Sequence, residues 1–414
     1  MTGVADATSC RPLGERTSGD VRARVWEADV MANEHPTASV PPSAAPPADG
    51  AERRFAAVRG AERLLSGVRP LSMGEWLADL SGEAGRAAYD LDQRTDLYGD
   101  GVVAALEERV AELLGTEAAA YFPTGTMAQQ VALRCWAERT GNQVVAMHPL
   151  AHPEVHERQA YSQLTGLRSV WPTREPRLPN ADEVAECDEP FGTLMLELPL
   201  RDAGFVLPSW EELTATVEAA RERDAVVHFD GARLWETTPH FGRTLPEIAE
   251  LADSVYVSFY KTLGGVSGAA LAGPEEFVAQ ARAWRHRYGG QLYQQWPAVL
   301  SALVGLEREL PRLPEYVAHA KVVAKALAAV PGSRVNPGVP QTHQFQYLLP
   351  YAADALNETT LRQAEETGRA LFRGWRATPV PGLSFTEITV AAPALEWTPQ
   401  EIEDALGQFL KMLR

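Results

Sequence analysis

The sequence predicts an α/β protein, in which a large domain on a mainly parallel sheet is followed by a smaller α+β domain. Three observations carry this. From Ala51 onward, short apolar runs alternate with amphipathic stretches, the pattern of strands joined by right-handed helical crossovers. Glycines and prolines punctuate the boundaries of these runs. Over roughly the last hundred residues the alternation gives way to long helical patterns around two strand-like segments.

Taken in order, residues 1–50 are rich in Ala, Pro, Ser, Thr and Gly and end in the run SVPPSAAPPADG from Ser39 to Gly50. Such a segment buries too little to offset its chain entropy, so a disordered or loosely docked arm is expected. Strands are expected at Gln143 to Met147, Thr193 to Leu198, Ala225 to Asp230, Ser254 to Phe259 and Ala269 to Ala272, with a further strand ending at Phe122. Helices are expected at Met127 to Arg139 and at Trp210 to Arg223, the latter opened by the capping-box spelling Ser209-Trp-Glu-Glu212. Beyond them, helices over Pro314 to Val330, Thr359 to Trp375 and Thr398 to Leu413 flank strands at Gln344 to Leu349 and Leu383 to Val390. Thr398-Pro-Gln-Glu401 gives the last helix an N-cap, a proline at its first position and an acid at its third. The large domain is therefore placed at 51–310, with 51–90 able to pack on the small domain, and the small domain at 311–414.

The chain has 414 residues, with 38 basic and 55 acidic side chains and a formal charge of −17. That balance argues against a nucleic-acid or anionic-membrane partner, which would need clustered Lys and Arg. Cys10, Cys135 and Cys187 are too few and too widely spaced for a disulfide framework or a CxxC zinc site. No apolar run reaches the roughly 18 residues of a spanning helix. A cytoplasmic protein is the expectation.

Four strings could carry chemistry. In Phe122-Pro-Thr-Gly-Thr-Met127 a strand end turns into a helix start, where free N–H groups and the hydroxyls of Thr124 and Thr126 make an anion cradle around Gly125. In His228-Phe-Asp-Gly-Ala-Arg233 an apolar strand ends at Asp230, where ligand crevices of parallel sheets form, and Arg233 follows three residues on. In Ser254-Val-Tyr-Val-Ser-Phe-Tyr-Lys-Thr-Leu-Gly-Gly265, Lys261 stands at the end of a strand before a glycine turn. Only four lysines occur, and Lys321, Lys325 and Lys411 sit on amphipathic helices as ordinary surface charges, so a lysine nucleophile would be Lys261. In His148-Pro-Leu-Ala-His-Pro-Glu-Val-His156 the interval of four suggests a metal face, but Pro149 and Pro153 break the helix it requires. A single functional histidine is preferred there, with no metal.

The order of these strings resembles the threonine aldolase and β-eliminating lyase group of fold type I pyridoxal-phosphate enzymes, from about Asp96 to Glu307. The matching pieces include Asp96-Leu-Tyr-Gly-Asp100, TGTM, His152 followed five residues later by Glu157, HFDGAR, SFYKTLGG and GGQLYQQ. The resemblance implies a seven-stranded, mostly parallel sheet with helices on both faces. It makes Lys261 the lysine that holds pyridoxal 5'-phosphate as an internal aldimine, and Asp230 the partner of the pyridinium nitrogen. His152 would stack on the ring and act as acid or base. Thr124, Gly125, Thr126 and Ser258 would hold the phosphate, and Arg233 the substrate carboxylate. It also implies a homodimer or homotetramer with the site at the dimer interface, reached by Tyr98 and the Gly289-Gly290 loop.

The sequence departs from the group on the substrate side. Glu387 stands at or beside a carboxylate-binding arginine, Tyr293 at another arginine, and Leu198-Pro-Leu-Arg201 replaces the group's "NTHN". A carboxylate at 387 is expected to repel a substrate carboxylate. The implied activity is retro-aldol cleavage of a β-hydroxy-α-amino acid to glycine and an aldehyde. β-Elimination or an aldol or transfer reaction on an unusual amino acid is the alternative, and a metal-dependent hydrolase or a non-catalytic relative is more remote.

Overall fold

A computed structural model of the chain describes residues 48–83 and 89–413. The arm expected over residues 1–50 lies outside the described residues, apart from Ala48–Gly50, which open the helix Ala48–Gly60. The strands are β1 (Arg63–Leu64), β2 (Ala118–Phe122), β3 (Val144–Ala146), β4 (Arg168–Val170), β5 (Thr193–Glu197), β6 (Val226–Gly231) and β7 (Ser254–Ser258). They continue with β8 (Ala269–Gly273), β9 (Arg334–Asn336), β10 (Gln344–Leu349), β11 (Arg369–Ala370), β12 (Arg376–Ala377) and β13 (Ser384–Thr389).

Seven of these form one sheet in the order β2-β8-β7-β6-β5-β3-β4. β4, β3, β5, β6 and β7 pair in parallel, while β8 pairs antiparallel with both β7 and β2. Only β8 runs against the rest. Both faces are covered, as the alternation of side chains shows: on β7, Val255 and Val257 enter one core cluster and Tyr256 the opposite one. On β8, Ala270 and Ala272 face the first cluster and Ala269 and Leu271 the second. Helices Gly125–Thr140 and Glu275–Arg287 supply much of the second cluster. A sheet buried on both faces explains why these strands read as continuous apolar runs rather than alternating ones.

The later segments form a four-stranded antiparallel sheet, β12-β13-β10-β9. Its strand β13 alternates between buried and half-buried residues, so this sheet packs on one face. Helix Ala48–Gly60 packs through Ala57 and Val58 against Leu361 and Ala364, and β1 pairs in parallel with β11. The segment before the large sheet is thus tied to the chain's last third. The helix expected over Thr359 to Trp375 instead spans Ala353–Thr367, because Gly368 takes a left-handed conformation (φ 65°) and ends it. Leu371, Phe372 and Trp375 keep the buried positions that made the helical pattern, but they reach the core from extended chain. β4 was not anticipated, being three residues long and led by an exposed arginine.

Candidate active site

The parallel register brings the carboxyl ends of β5 and β6 level, so that Glu197 and Asp230 are direct cross-strand neighbours. Both are buried. Burial pushes the Glu197 carboxyl up to about 8, with the Asp230 charge adding to the effect. Burial also raises Asp230, opposed by the Lys261 ammonium. Asp230 Oδ1 accepts the N–H of Ala232 at 3.1 Å.

Lys261 follows β7 by three residues and is half-buried, its Nζ 5.7 Å from the Tyr260 ring centroid. Burial and then the Arg233 guanidinium lower its amine to about 8, against the upward pull of Asp230 and Glu197. Trp235, two residues beyond Arg233, donates from Nε1 to the Ser258 carbonyl at 3.0 Å, which locks the turn after β6 to the end of β7. Ser258 is fully buried and donates its hydroxyl to the Ala232 carbonyl at 2.8 Å. Arg233 lies over the Phe205 ring, 5.3 Å from its centroid, and its Nε is buried without a partner. Among the described residues it forms no ion pair. A half-buried guanidinium with a buried, unpartnered Nε beside a lysine is a place for an anion.

The expected cradle opens helix Gly125–Thr140, where the exposed Thr124 caps the helix by accepting from the Met127 N–H at 3.2 Å. A Cβ at Gly125 would run into the Tyr256 hydroxyl, so only glycine lets the helix start approach β7 this closely. Thr126 is exposed in the first turn.

The three histidines go to three different partners. His148 Nε2 lies 2.7 Å from the Glu175 carbonyl, and His156 Nε2 lies 2.7 Å from Asp202. His152 opens the short helix His152–Val155 with Pro153 behind it, and its Nδ1 faces Glu157 Oε1 at 3.2 Å. The Glu157 side chain is buried and receives Gln130 Nε2 at 2.9 Å. Because Nδ1 meets a carboxylate, it carries the hydrogen and leaves a lone pair on Nε2. The His152 N–H is itself held by Glu197 Oε2 at 2.7 Å, and Glu197 Oε1 accepts the Arg201 N–H at 3.2 Å. Glu197, which the sequence reading passed over, therefore fixes both His152 and Arg201.

Glu387 does not stand as a bare negative charge. Arg201 Nη2 lies 2.8 Å from its Oε2 and Arg376 Nη2 lies 3.0 Å from its Oε1. The repulsion expected from a carboxylate at 387 is thereby neutralised, and the group's replaced segment Leu198–Arg201 supplies one of the two cations. Tyr293 packs edge-on against Tyr98 at 5.4 Å between centroids, and both rings are exposed.

These features define an α/β enzyme whose Lys261, Asp230, Glu197 and Arg233 gather at the carboxyl ends of parallel strands. The chain belongs to the beta-eliminating lyase family, whose model matches residues 82–347. It is 27% identical over 290 residues to low-specificity L-threonine aldolase 1 of Arabidopsis thaliana, covering 67% of this chain and 81% of that protein. It is 32% identical over 240 residues to the low specificity L-threonine aldolase of Escherichia coli (strain K12), covering 56% of this chain and 71% of that one. Among solved structures, a protein of Listeria monocytogenes EGD-E provisionally described as an L-allo-threonine aldolase matches with TM-score 0.79 and 33% identity, covering 88% of this chain and 99% of that one.

Replacing Glu387 by alanine leaves Arg201 and Arg376 facing each other without their shared carboxylate. Glu387→Ala is expected to lower the unfolding free energy by about 1–3 kcal/mol, measured by urea denaturation. An unchanged midpoint would show that the three charges are solvated independently.

Proposed function

We propose that this chain is a pyridoxal-phosphate-dependent carbon–carbon lyase that cleaves β-hydroxy-α-amino acids to glycine and an aldehyde. The observation that carries the reading is the half-buried Lys261, its amine lowered to about 8, beside the buried Asp230 carboxylate and the unpaired Arg233 guanidinium. The residues fit the cofactor. Lys261 offers a free amine at mildly alkaline pH for its aldehyde carbon. Asp230 offers a buried carboxylate for its ring nitrogen, and Thr124, Gly125 and Thr126 offer a helix start for its phosphate. The Ser258 hydroxyl donates its one hydrogen to the Ala232 carbonyl, so it would join this cradle only by turning that hydrogen to the phosphate. Bound pyridoxal phosphate supplies an electron sink for the pair released when a bond at the substrate α-carbon breaks.

The chain's own groups account for the rest. Arg233, with its unpartnered Nε, binds the substrate α-carboxylate. His152 Nε2 takes the proton of the β-hydroxyl, and Glu157 at Nδ1 stabilises the imidazolium that results. As that proton leaves, the Cα–Cβ bond breaks, the β-carbon departs as an aldehyde and the α-carbon is later protonated to give glycine.

A homodimer or homotetramer is part of this proposal. The exposed rings of Tyr98 and Tyr293, beside the exposed Leu97 and Leu292, support a subunit contact there. Among the described residues no helix is long and apolar enough to cross a membrane. The free thiols of Cys135 and Cys187 support a reducing cytoplasm as its place.

The test is the purified protein's visible absorption, followed with acetaldehyde release on adding L-allo-threonine. A visible band with acetaldehyde release is expected, and Lys261→Ala is expected to lose both. Release of ammonia and 2-oxobutanoate without aldehyde would contradict the aldol reading in favour of elimination. His152→Gln is expected to keep the band and lower kcat about 10²–10⁴-fold, measured in steady state; an unchanged kcat would remove His152 from the proton transfer.

A further inference from the structure

A second buried cluster lies directly behind the lysine. Glu236, on the turn Leu234–Glu236 that follows Arg233, is fully buried. Its Oε2 lies 2.8 Å from Nε2 of the buried His343, which precedes β10. The same Oε2 accepts the hydroxyl of Thr262 at 2.5 Å, and Thr262 is the residue after Lys261. On the other side of the ring, His343 Nδ1 meets the Val390 carbonyl at 2.6 Å. Glu236 Oε1 has no partner, and His343 Nε2 meets Glu236 through the ion-pair contact alone, without an aligned hydrogen bond. Among the described residues His343 is the only basic side chain within ion-pair distance of Glu236.

We propose that Glu236 and His343 form a proton-held clamp that positions Lys261 through Thr262, tying the lysine loop to the turn after β6 and to the entry of the four-stranded sheet. The inference rests on the reading above that Lys261 is the reactive lysine. The argument begins with hydrogen counting. Both ring nitrogens of His343 face oxygens, and a neutral imidazole has only one N–H. A second hydrogen must therefore sit on the His343–Glu236 contact, as an imidazolium facing a carboxylate or as the equivalent shared proton. Without it, an imidazole lone pair and a buried carboxylate would face each other at 2.8 Å.

The surroundings agree. The groups facing the pair are Arg233 on the Glu236 turn, Thr262 from the lysine loop, the Val390 carbonyl and the Tyr316 ring, which stacks on His343 at 6.2 Å between centroids. Burial disfavours the charged imidazole and Arg233 opposes it, but Glu236 outweighs them and His343 is raised above its ordinary value. The sign follows. The clamp is complete below the ordinary histidine range and is lost as pH rises through the raised value, so the lysine loop loosens on the alkaline side.

Hydrogen exchange of the segment 259–265 in cofactor-free protein tests this without turnover. Protection factors corrected for intrinsic chemistry are expected to fall at least tenfold between pH 6 and pH 9 in the wild type. In Glu236→Gln/His343→Gln, which keeps polar side chains but removes both titrating groups, they are expected to stay constant with pH. Thr262→Val, which keeps the ion pair and the side-chain volume, is expected to lower protection at pH 6 toward the wild-type level at pH 9, and it serves alone should the double variant not fold. In cofactor-loaded protein, Thr262→Val is expected to shift the pH midpoint of the visible band with little change in KM. Protection that is independent of pH in the wild type, or unchanged by Thr262→Val, would overturn the clamp. Because exchange is read without cofactor or substrate, failure of the clamp is distinguishable from failure of the lyase reading, which would appear as a missing band or absent aldehyde.

Discussion

A lysine ammonium taken out of water loses several kcal/mol of hydration, and a protein that buries one must supply carboxylates or let the amine shed its proton. Lys261 sits between these solutions. Asp230 and Glu197 draw a proton toward it, while burial and the Arg233 guanidinium drive the proton off. The balance leaves an amine that is half deprotonated near pH 8, which is the form that attacks a carbonyl carbon. Removing Arg233 would move Lys261 back toward an ordinary ammonium, and removing Asp230 or Glu197 would lower its amine further.

The fold holds those charges in place by register rather than by local sequence. Glu197 and Asp230 are level because β5 and β6 run in parallel, and Asp230 pairs in turn with Tyr256 of β7, whose hydroxyl abuts Gly125 at the helix start. The same Glu197 carboxylate holds the His152 and Arg201 amides, so His152 and the Arg201–Glu387 pair hang from one side chain. Interior packing makes this arrangement stiff. A shift of one strand would move the carboxylate pair, the histidine and the lysine together.

Much of this was legible in the sequence. The apolar runs ending in Asp230 and near Lys261 marked strand ends because a sheet buried on both faces needs continuous hydrophobicity. The scarcity of lysines directs attention to Lys261, and Pro153 stands at the start of the helix His152–Val155, which leaves the His152 and His156 rings 5.2 Å apart between centroids. What the sequence did not disclose were the contacts that close over long separations. Glu197 ends a strand just as Asp230 does, and level strand ends could have identified it. Glu236 and His343 are 107 positions apart in number, and Arg201 and Glu387 are 186 apart. No local pattern encodes such pairs. The helix misplaced at Thr359 to Trp375 failed for a local reason, since Gly368 ends the helix while the apolar spacing continues past it.

The state of the Lys261 amine is the point on which the account rests, and its titration is the most direct measurement. Cofactor-free protein would be treated with a small acylating reagent across a pH series, and modification at Lys261 read by mass spectrometry against Lys321, Lys325 and Lys411. The account predicts that Lys261 reacts with a midpoint of about 8. A midpoint at the ordinary lysine value of about 10.5 would contradict it, because the site would then hold a paired ammonium rather than a nucleophile.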